Sequence, residues 1–208
     1  MDTDISKMFK NKNKEIFKNS LTLEMERNLE TLKNTTDNCV ALEINKLFLF
    51  FSKYFQENSI DFKKEELLGI LYRERKSIND IVNNKIEEKK QKIKEYFLEK
   101  ENEEDILEQE YIDNYYEELK KETEVVNNDL AVNISEEICT EFSPKIANKY
   151  KLESIDQLER INSRINVLFK ENIISRIQEQ IKFRDESLKN IAKESYEKYV
   201  ELNNNTIK

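Results

Sequence analysis

Residues 154–202 read SIDQLERINSRINVLFKENIISRIQEQIKFRDESLKNIAKESYEKYVEL. Ser154 and Gln157 form a capping-box pattern, in which each side chain can reach a backbone N–H that the first helical turn leaves without a partner. Beyond them Leu158, Ile161, Ile165, Leu168, Ile174, Ile177, Ile181, Leu188 and Ile191 recur mostly at helical spacing, with a slip of phase near Asn172. Neither Gly nor Pro interrupts the row. A single helix over residues 155–202 would be about 70 Å long at 1.5 Å per residue. The stretch therefore predicts an all-α fold, an elongated helical bundle with long, coiled-coil-like helices. It also makes Ile174, Ile177, Ile181, Leu188 and Ile191 a candidate self-association stripe toward a second copy.

The rest of the chain agrees with that reading. Its 208 residues contain 1 Gly and 1 Pro, too few for the turns on which sheet and α/β architectures depend. Charged and hydrophobic residues each make up 38%, the profile of long helices that bury one stripe. The 11 Phe and 9 Tyr, with regularly spaced Ile, set the chain apart from disordered sequences.

An N-terminal stripe of Ile5, Met8, Phe9, Ile16, Phe17, Leu21, Met25, Leu29 and Leu32 predicts an amphipathic helix, and residues 34–37 a break after it. Asp37 is positioned to cap a second helix through Val40, Ile44, Leu47, Phe51 and Phe55, apolar nearly all round and hence central to the bundle. Asp61 would cap a short helix over residues 62–75, in which Gly69 marks close helix packing. Ser77 with Asp80 resembles a fresh N-terminus, residues 127–129 a turn, and Ser143-Pro144 another helix start. The chain reads as one helical domain, residues 1–208, subdivided into N-terminal helices (1–76), an acidic helical region (77–143), a helical hairpin (144–202) and a disordered tail (203–208).

The chain contains no His, which removes the usual proton shuttle and the common zinc and di-iron ligand sets. One glycine is too few for a phosphate-cradling loop or an EF-hand. Ser195 and Lys198 match the SxxK spacing of serine-lysine chemistry, but that spacing recurs by chance in Lys-rich helices and the accompanying glycine motif is missing. Cys39 and Cys139 stand far apart, without CxxC spacing, and read as reduced, buried thiols. No cofactor or metal is implied.

Net charge is −8, which makes nucleic acid a poor partner for the chain as a whole. Residues 99–124 hold 12 acids and 3 bases, so this segment carries the whole imbalance. Its like charges one turn apart oppose helix formation. A basic partner, or the neighbouring Lys85, Lys89, Lys90, Lys92 and Lys94 of an antiparallel copy, would relieve them. Glu103, Glu104, Asp105 and Glu108, with the aromatic anchors Tyr111, Tyr115 and Tyr116, are accordingly the candidate surface for a basic protein partner. A helix-turn-helix could be drawn over residues 144–162, with Arg160 and Arg164 toward DNA, although Asp156 and Glu159 would face the phosphates. No apolar run approaches a membrane span, and the start of the chain has no apolar leader core. The expectation is a cytoplasmic protein.

Taken together these features predict a non-enzymatic structural or adaptor protein that works by protein–protein contact and forms homo-oligomers. The alternative is an acidic inhibitor or regulator that imitates nucleic-acid charge. A helix-turn-helix DNA-binding regulator is the third reading.

Overall fold

A computed structural model describes residues 2–99 and 109–206. The protein is an all-α helical bundle, and the described residues contain no strand. Among the described residues six α-helices follow in order: α1 (Asp2–Glu57), α2 (Lys64–Glu99), α3 (Gln109–Glu137), α4 (Ser143–Lys149), α5 (Ile155–Asn166) and α6 (Ser175–Thr206). Two π-helical stretches, Ile138–Phe142 and Val167–Ile174, join α3 to α4 and α5 to α6 without a break.

The core of α1 explains why it is one helix where two were expected. Phe17, Leu21, Met25, Leu29 and Leu32 are buried at steps of four, four, four and three, and Thr36, Val40, Ile44 and Leu47 repeat the pattern. That row is longer in period than the heptad seam of a coiled coil. Thr36 sits within it and donates its hydroxyl to the Lys33 carbonyl at 2.8 Å. Asp37 is no cap. Its carboxylate accepts from Arg75 of α2, from Nη2 at 2.9 and 3.0 Å and from Nε at 3.3 Å, and takes a further bond from Asn79. Tertiary contact thus overrides the local preference of polar residues for a break. Helix α2 likewise runs through Ser77, whose hydroxyl donates to Glu137 Oε1 at 2.6 Å, and α3 runs through residues 127–129. Asp61 lies three residues before the start of α2, where the Lys63 carbonyl accepts the first turn's bond from the Leu67 N–H at 3.1 Å.

Helix stops are made with hardly any glycine. At the end of α1, Ser59 takes the left-handed conformation at φ 56, and the Ile60 N–H reaches back to the Phe55 carbonyl at 2.9 Å. Lys151 does the same after α4, at φ 53, with the Leu152 N–H bonded to the Ala147 carbonyl at 3.0 Å. Each costs about 1 kcal/mol relative to glycine. Ser154 stands at the start of α5, as expected, with extended backbone, but no side-chain capping bond forms. Ser143 is itself helical, following the π-helical turn directly, with Pro144 in the first turn of α4.

The slip near Asn172 has a structural cause. Within Val167–Ile174 the buried residues are Leu168, Phe169, Ile173 and Ile174, a five-residue step that only the wider π-helical turn can place on one face. Asn172 is thereby turned aside, and its amide donates to Glu43 Oε2 at 3.3 Å. Helix α6 continues past residue 202 to Thr206.

The chain divides into two compact units. Unit 1 comprises Met1–Leu32, Ile86–Glu124 and Lys182–Lys208. In it α1 lies antiparallel to α6, as shown by Asn13 bonded to Asn203 at 3.0 Å, Phe17 against Tyr199 with ring centroids 5.7 Å apart, and Asn28 bonded to Ser187 at 2.8 Å. Lys92 of α2 pairs with Glu122 of α3 at 2.8 Å. Unit 2 comprises Lys33–Lys85 and Val125–Ile181. Its core is a cluster of rings in which Phe51 stacks on Phe55 (5.6 Å), Phe55 meets Tyr150 (4.5 Å) and Phe142 meets Phe169 (5.5 Å). The last two rings come one from each π-helical stretch.

Candidate functional site

The proposed self-association stripe of the C-terminal region is core. Ile174, Ile177, Ile181 and Leu188 are buried among the chain's own helices, and Ile191 is half-buried. The helical period was read correctly, and the four buried side chains lie on a face covered by the same chain, while Ile191 borders a surface groove between α1 and α6.

Glu103, Glu104, Asp105 and Glu108 lie outside the described residues. Tyr111, Tyr115 and Tyr116 fall on α3, with their side chains likewise outside the description. The lysines expected to meet the acidic segment in another copy are engaged within this one. Besides Lys92 with Glu122, Lys85 pairs with Asp129 at 3.2 Å, Lys90 with Glu87 at 3.7 Å and Lys94 with Glu26 at 2.6 Å. The bond from Lys94 holds the Glu26 carboxyl below its ordinary range.

Arg160 and Arg164, the basic residues of the helix-turn-helix reading, lie over the rings of Tyr54 and Phe50 at 5.5 and 5.6 Å. Their guanidinium faces are thus occupied by cation–π contact with α1. The reduced state expected of the two cysteines fits the free thiols at Cys39 and Cys139, but they are not buried. Cys39 is half-exposed and Cys139, on the first π-helical stretch, is exposed. Among the described residues no group of three acidic or thiol side chains converges as metal ligands would, and no helix is long and apolar enough to cross a membrane.

The surface that stands out is on α1 in unit 1. Phe17 and Leu21 turn inward with the core row, while Phe9, Ile16 and Leu23 remain 43%, 51% and 48% exposed. They are seven residues apart, so they form a second apolar row on the outer side of the helix. Of the N-terminal stripe expected from the sequence, Phe17, Leu21, Met25, Leu29 and Leu32 form the buried row, whereas Met8, Phe9 and Ile16 are exposed; Leu23 was not part of that stripe. Beside Ile16 a groove of about 330 Å³ opens between α1 and α6. Its walls include Asn13, Ile16, Ser20, Ser195, Lys198 and Leu202. The Ser195 and Lys198 of the SxxK match therefore border a surface groove, next to the exposed side chain of Leu202.

A signal for this surface is present in the sequence. Adjacent apolar residues at Met8-Phe9 and Ile16-Phe17 cannot all face one core, because successive helical residues diverge by about 100°. One of each pair must turn outward unless both faces are covered.

Fold and surface together define an all-α helical bundle carrying an outward apolar row. No family model, curated protein or solved structure matches the chain.

Proposed function

We propose that the protein is a non-enzymatic helical structural or adaptor protein that acts through protein–protein contact and associates with itself along the outer face of α1. The observation that carries this reading is the row Phe9, Ile16 and Leu23, large apolar side chains about half exposed at seven-residue spacing. A heptad interval is the one at which a neighbouring helix can stay in contact over successive turns. Burying the exposed half of such a side chain gains about 1 kcal/mol. Three per copy must offset an association cost of at least about 4 kcal/mol, so the contact is weak and concentration-dependent. A second copy suits a weak patch, since a self-complementary surface contributes every gain twice.

Sedimentation over a range of protein concentrations tests it. The wild-type chain is expected to move from monomer to dimer, and the Ile16→Glu/Leu23→Glu double variant to stay monomeric, folded and close in melting temperature to the wild type at concentrations where the wild type is itself monomeric. A wild-type chain that remains monomeric at several hundred micromolar, or a double variant that still dimerises, overturns the proposal.

A further inference from the structure

A second surface, in unit 2 and independent of the apolar row in unit 1, is set apart by two arginines without a counter-charge. We infer that Arg160 and Arg164 of α5, with Leu42 and Leu49 of α1 beside them, form a docking surface for an acidic amphipathic helix of another protein.

The arginines are held ready for an anion. Arg160 lies over the Tyr54 ring and Arg164 over the Phe50 ring, at 5.5 and 5.6 Å, so one turn of α5 is matched to one turn of α1. Each contact uses the flat face of the guanidinium and leaves its edge N–H groups, the ones that grip a carboxylate in pairs. Both residues are exposed, and among the described residues neither is paired with an acid. Arg27, Arg75 and Arg176, in contrast, each have a carboxylate partner. Asp156 and Glu159 share α5 with the two arginines and temper their field without pairing with them. A guanidinium already fixed on a ring loses less freedom on binding than a free one.

The strip of α1 alongside carries charge of the same sign. From Ile44 to Gln56 the sequence has Lys46 and Lys53 and no acid. Lys46 and Arg176 share one buried carboxylate, Glu43, at 2.8 and 3.5 Å, so that end of the seam keeps a net positive charge. Lys53 meets Glu57 at 3.7 Å in an exposed pair, which contributes little. Going round α1 from the two rings at about 100° per residue, Lys46 and Lys53 come first and Leu42 and Leu49 next. These leucines, seven residues apart, are 47% and 67% exposed.

Charge and leucines together select the occupant. Unpaired arginines call for an anionic group, and leucines at a heptad interval call for an apolar helix face, which nucleic-acid phosphates do not offer. A chain of net charge −8 is repelled as a whole by an extended anionic surface, whether duplex or membrane. A single helix feels chiefly the charges within about 10 Å of it, where this patch is positive. Leucines on one face and glutamates along its edge satisfy both halves of the surface.

The test titrates the full chain against a fluorescent three-heptad peptide with leucines at the first and fourth positions of each heptad and glutamates beside them. Saturable binding is expected, several-fold weaker when NaCl is raised from about 50 to about 500 mM. Arg160→Gln/Arg164→Gln should lower the affinity about tenfold, Arg160→Lys/Arg164→Lys several-fold because the stacked fork is lost, and Leu42→Ser/Leu49→Ser several-fold. Leu42 and Leu49 lie outside the buried core, so their variant decides the matter even where loss of the ring contacts loosens α5. Equal binding by the wild type and these variants would overturn the surface. Tighter binding of phosphatidylserine vesicles or of a DNA duplex than of the peptide would make the patch a lipid or nucleic-acid site instead. The Ile16→Glu/Leu23→Glu chain should bind the peptide as the wild type does; loss of binding there would move the site to unit 1. Dimers of that chain that Arg160→Gln/Arg164→Gln abolishes would make the occupant a second copy and overturn the partner assigned.

Discussion

The two units solve the same packing problem with different chemistry. Unit 2 fills its interior with rings: Phe51, Phe55, Phe142 and Phe169 are fully buried, and two π-helical stretches are used to aim the last two. Unit 1 uses aliphatic rows, among them Leu21, Met25, Leu29, Ile86, Ile93 and Leu188, and crosses them with a charged layer. In that layer Lys89 of α2, only 2% exposed, is ion-paired with Asp185 of α6 and donates to Thr123 Oγ1 of α3 at 3.1 Å. Irregular rings fit in few ways, so they specify an arrangement by shape. Aliphatic rows slide past one another at small cost, so a buried polar layer that pairs in one register only can specify what shape does not.

Removing the charged layer is the strongest way to break this comparison. Burial pushes Lys89 down and Asp185 up, each toward its neutral form, while their mutual attraction opposes both shifts. Lys89→Met leaves Asp185 with no counter-charge and an oxygen, Oδ2, that already lacks a partner. The expected loss is about 3 kcal/mol, at the low end for breaking a buried pair, because Asp185 can take up a proton instead. The Lys89→Met/Asp185→Leu double variant should recover most of it in urea unfolding. If the layer sets register, the double variant should also show weaker hydrogen-exchange protection in unit 1 than in unit 2. Equal protection in both would assign the pair no specifying role.

The same contrast governs what was legible in the sequence. Helicity was readable throughout, because it depends on glycine and proline usage and on local period. The phase slip at Asn172 was readable too, and proved to be a π-helical turn. Helix ends were not readable at residues 34–37, at Ser77 or at residues 127–129, since Asp37, Ser77 and Asp129 bond across to other helices and no local rule reveals a partner distant in sequence. The interaction surface failed for a related reason. Periodicity separates an apolar face from a polar one, but not a face covered by the same chain from one left open, so it did not tell that Ile174, Ile177, Ile181 and Leu188 are covered within the chain, that Phe9 and Ile16 of the N-terminal stripe are half exposed, or that Leu23, outside that stripe, is half exposed too.

A smaller effect sharpens the account of unit 2, which also buries polar side chains: Glu43 is paired with Lys46 and Arg176, whereas Glu74 has no such pair. Glu74 is 3% exposed and its Oε1 has no partner. Burial is the main cause that raises its pKa to about 8, with Glu137 and Glu141 adding repulsion and Lys145 opposing it. The folded chain therefore holds a proton that the unfolded chain gives up near pH 4.5. Stability contributed by this group is full below that pH and declines as pH rises toward 8, where folded Glu74 ionises as well. Glu74→Gln should flatten the decline and be the more stable form by about 2 kcal/mol at pH 8. The gain is below the full linkage value because Gln brings an amide that needs its own partner. Parallel stability curves for the two proteins between pH 5 and 9 would show that Glu74 is ionised in the folded state.

The smallest effect concerns Gly69, where the sequence suggested that two helices approach too closely for a side chain. The structure shows otherwise: a Cβ at that position would meet only the Arg73 guanidinium, at 4.0 Å, an ordinary contact with the end of a flexible side chain. The backbone there is helical, with no positive φ, so an L-residue fits without strain. What glycine contributes is then only its entropic cost in a helix interior. Gly69→Ala should stabilise the protein by about 0.5–1 kcal/mol, read as a higher urea midpoint with an unchanged slope. Because Gly69 belongs to unit 2, the added protection in hydrogen exchange should concentrate on α2 within that unit. A lower midpoint would mean that the glycine is needed for packing after all, and that shape specifies unit 2 down to the missing methyl.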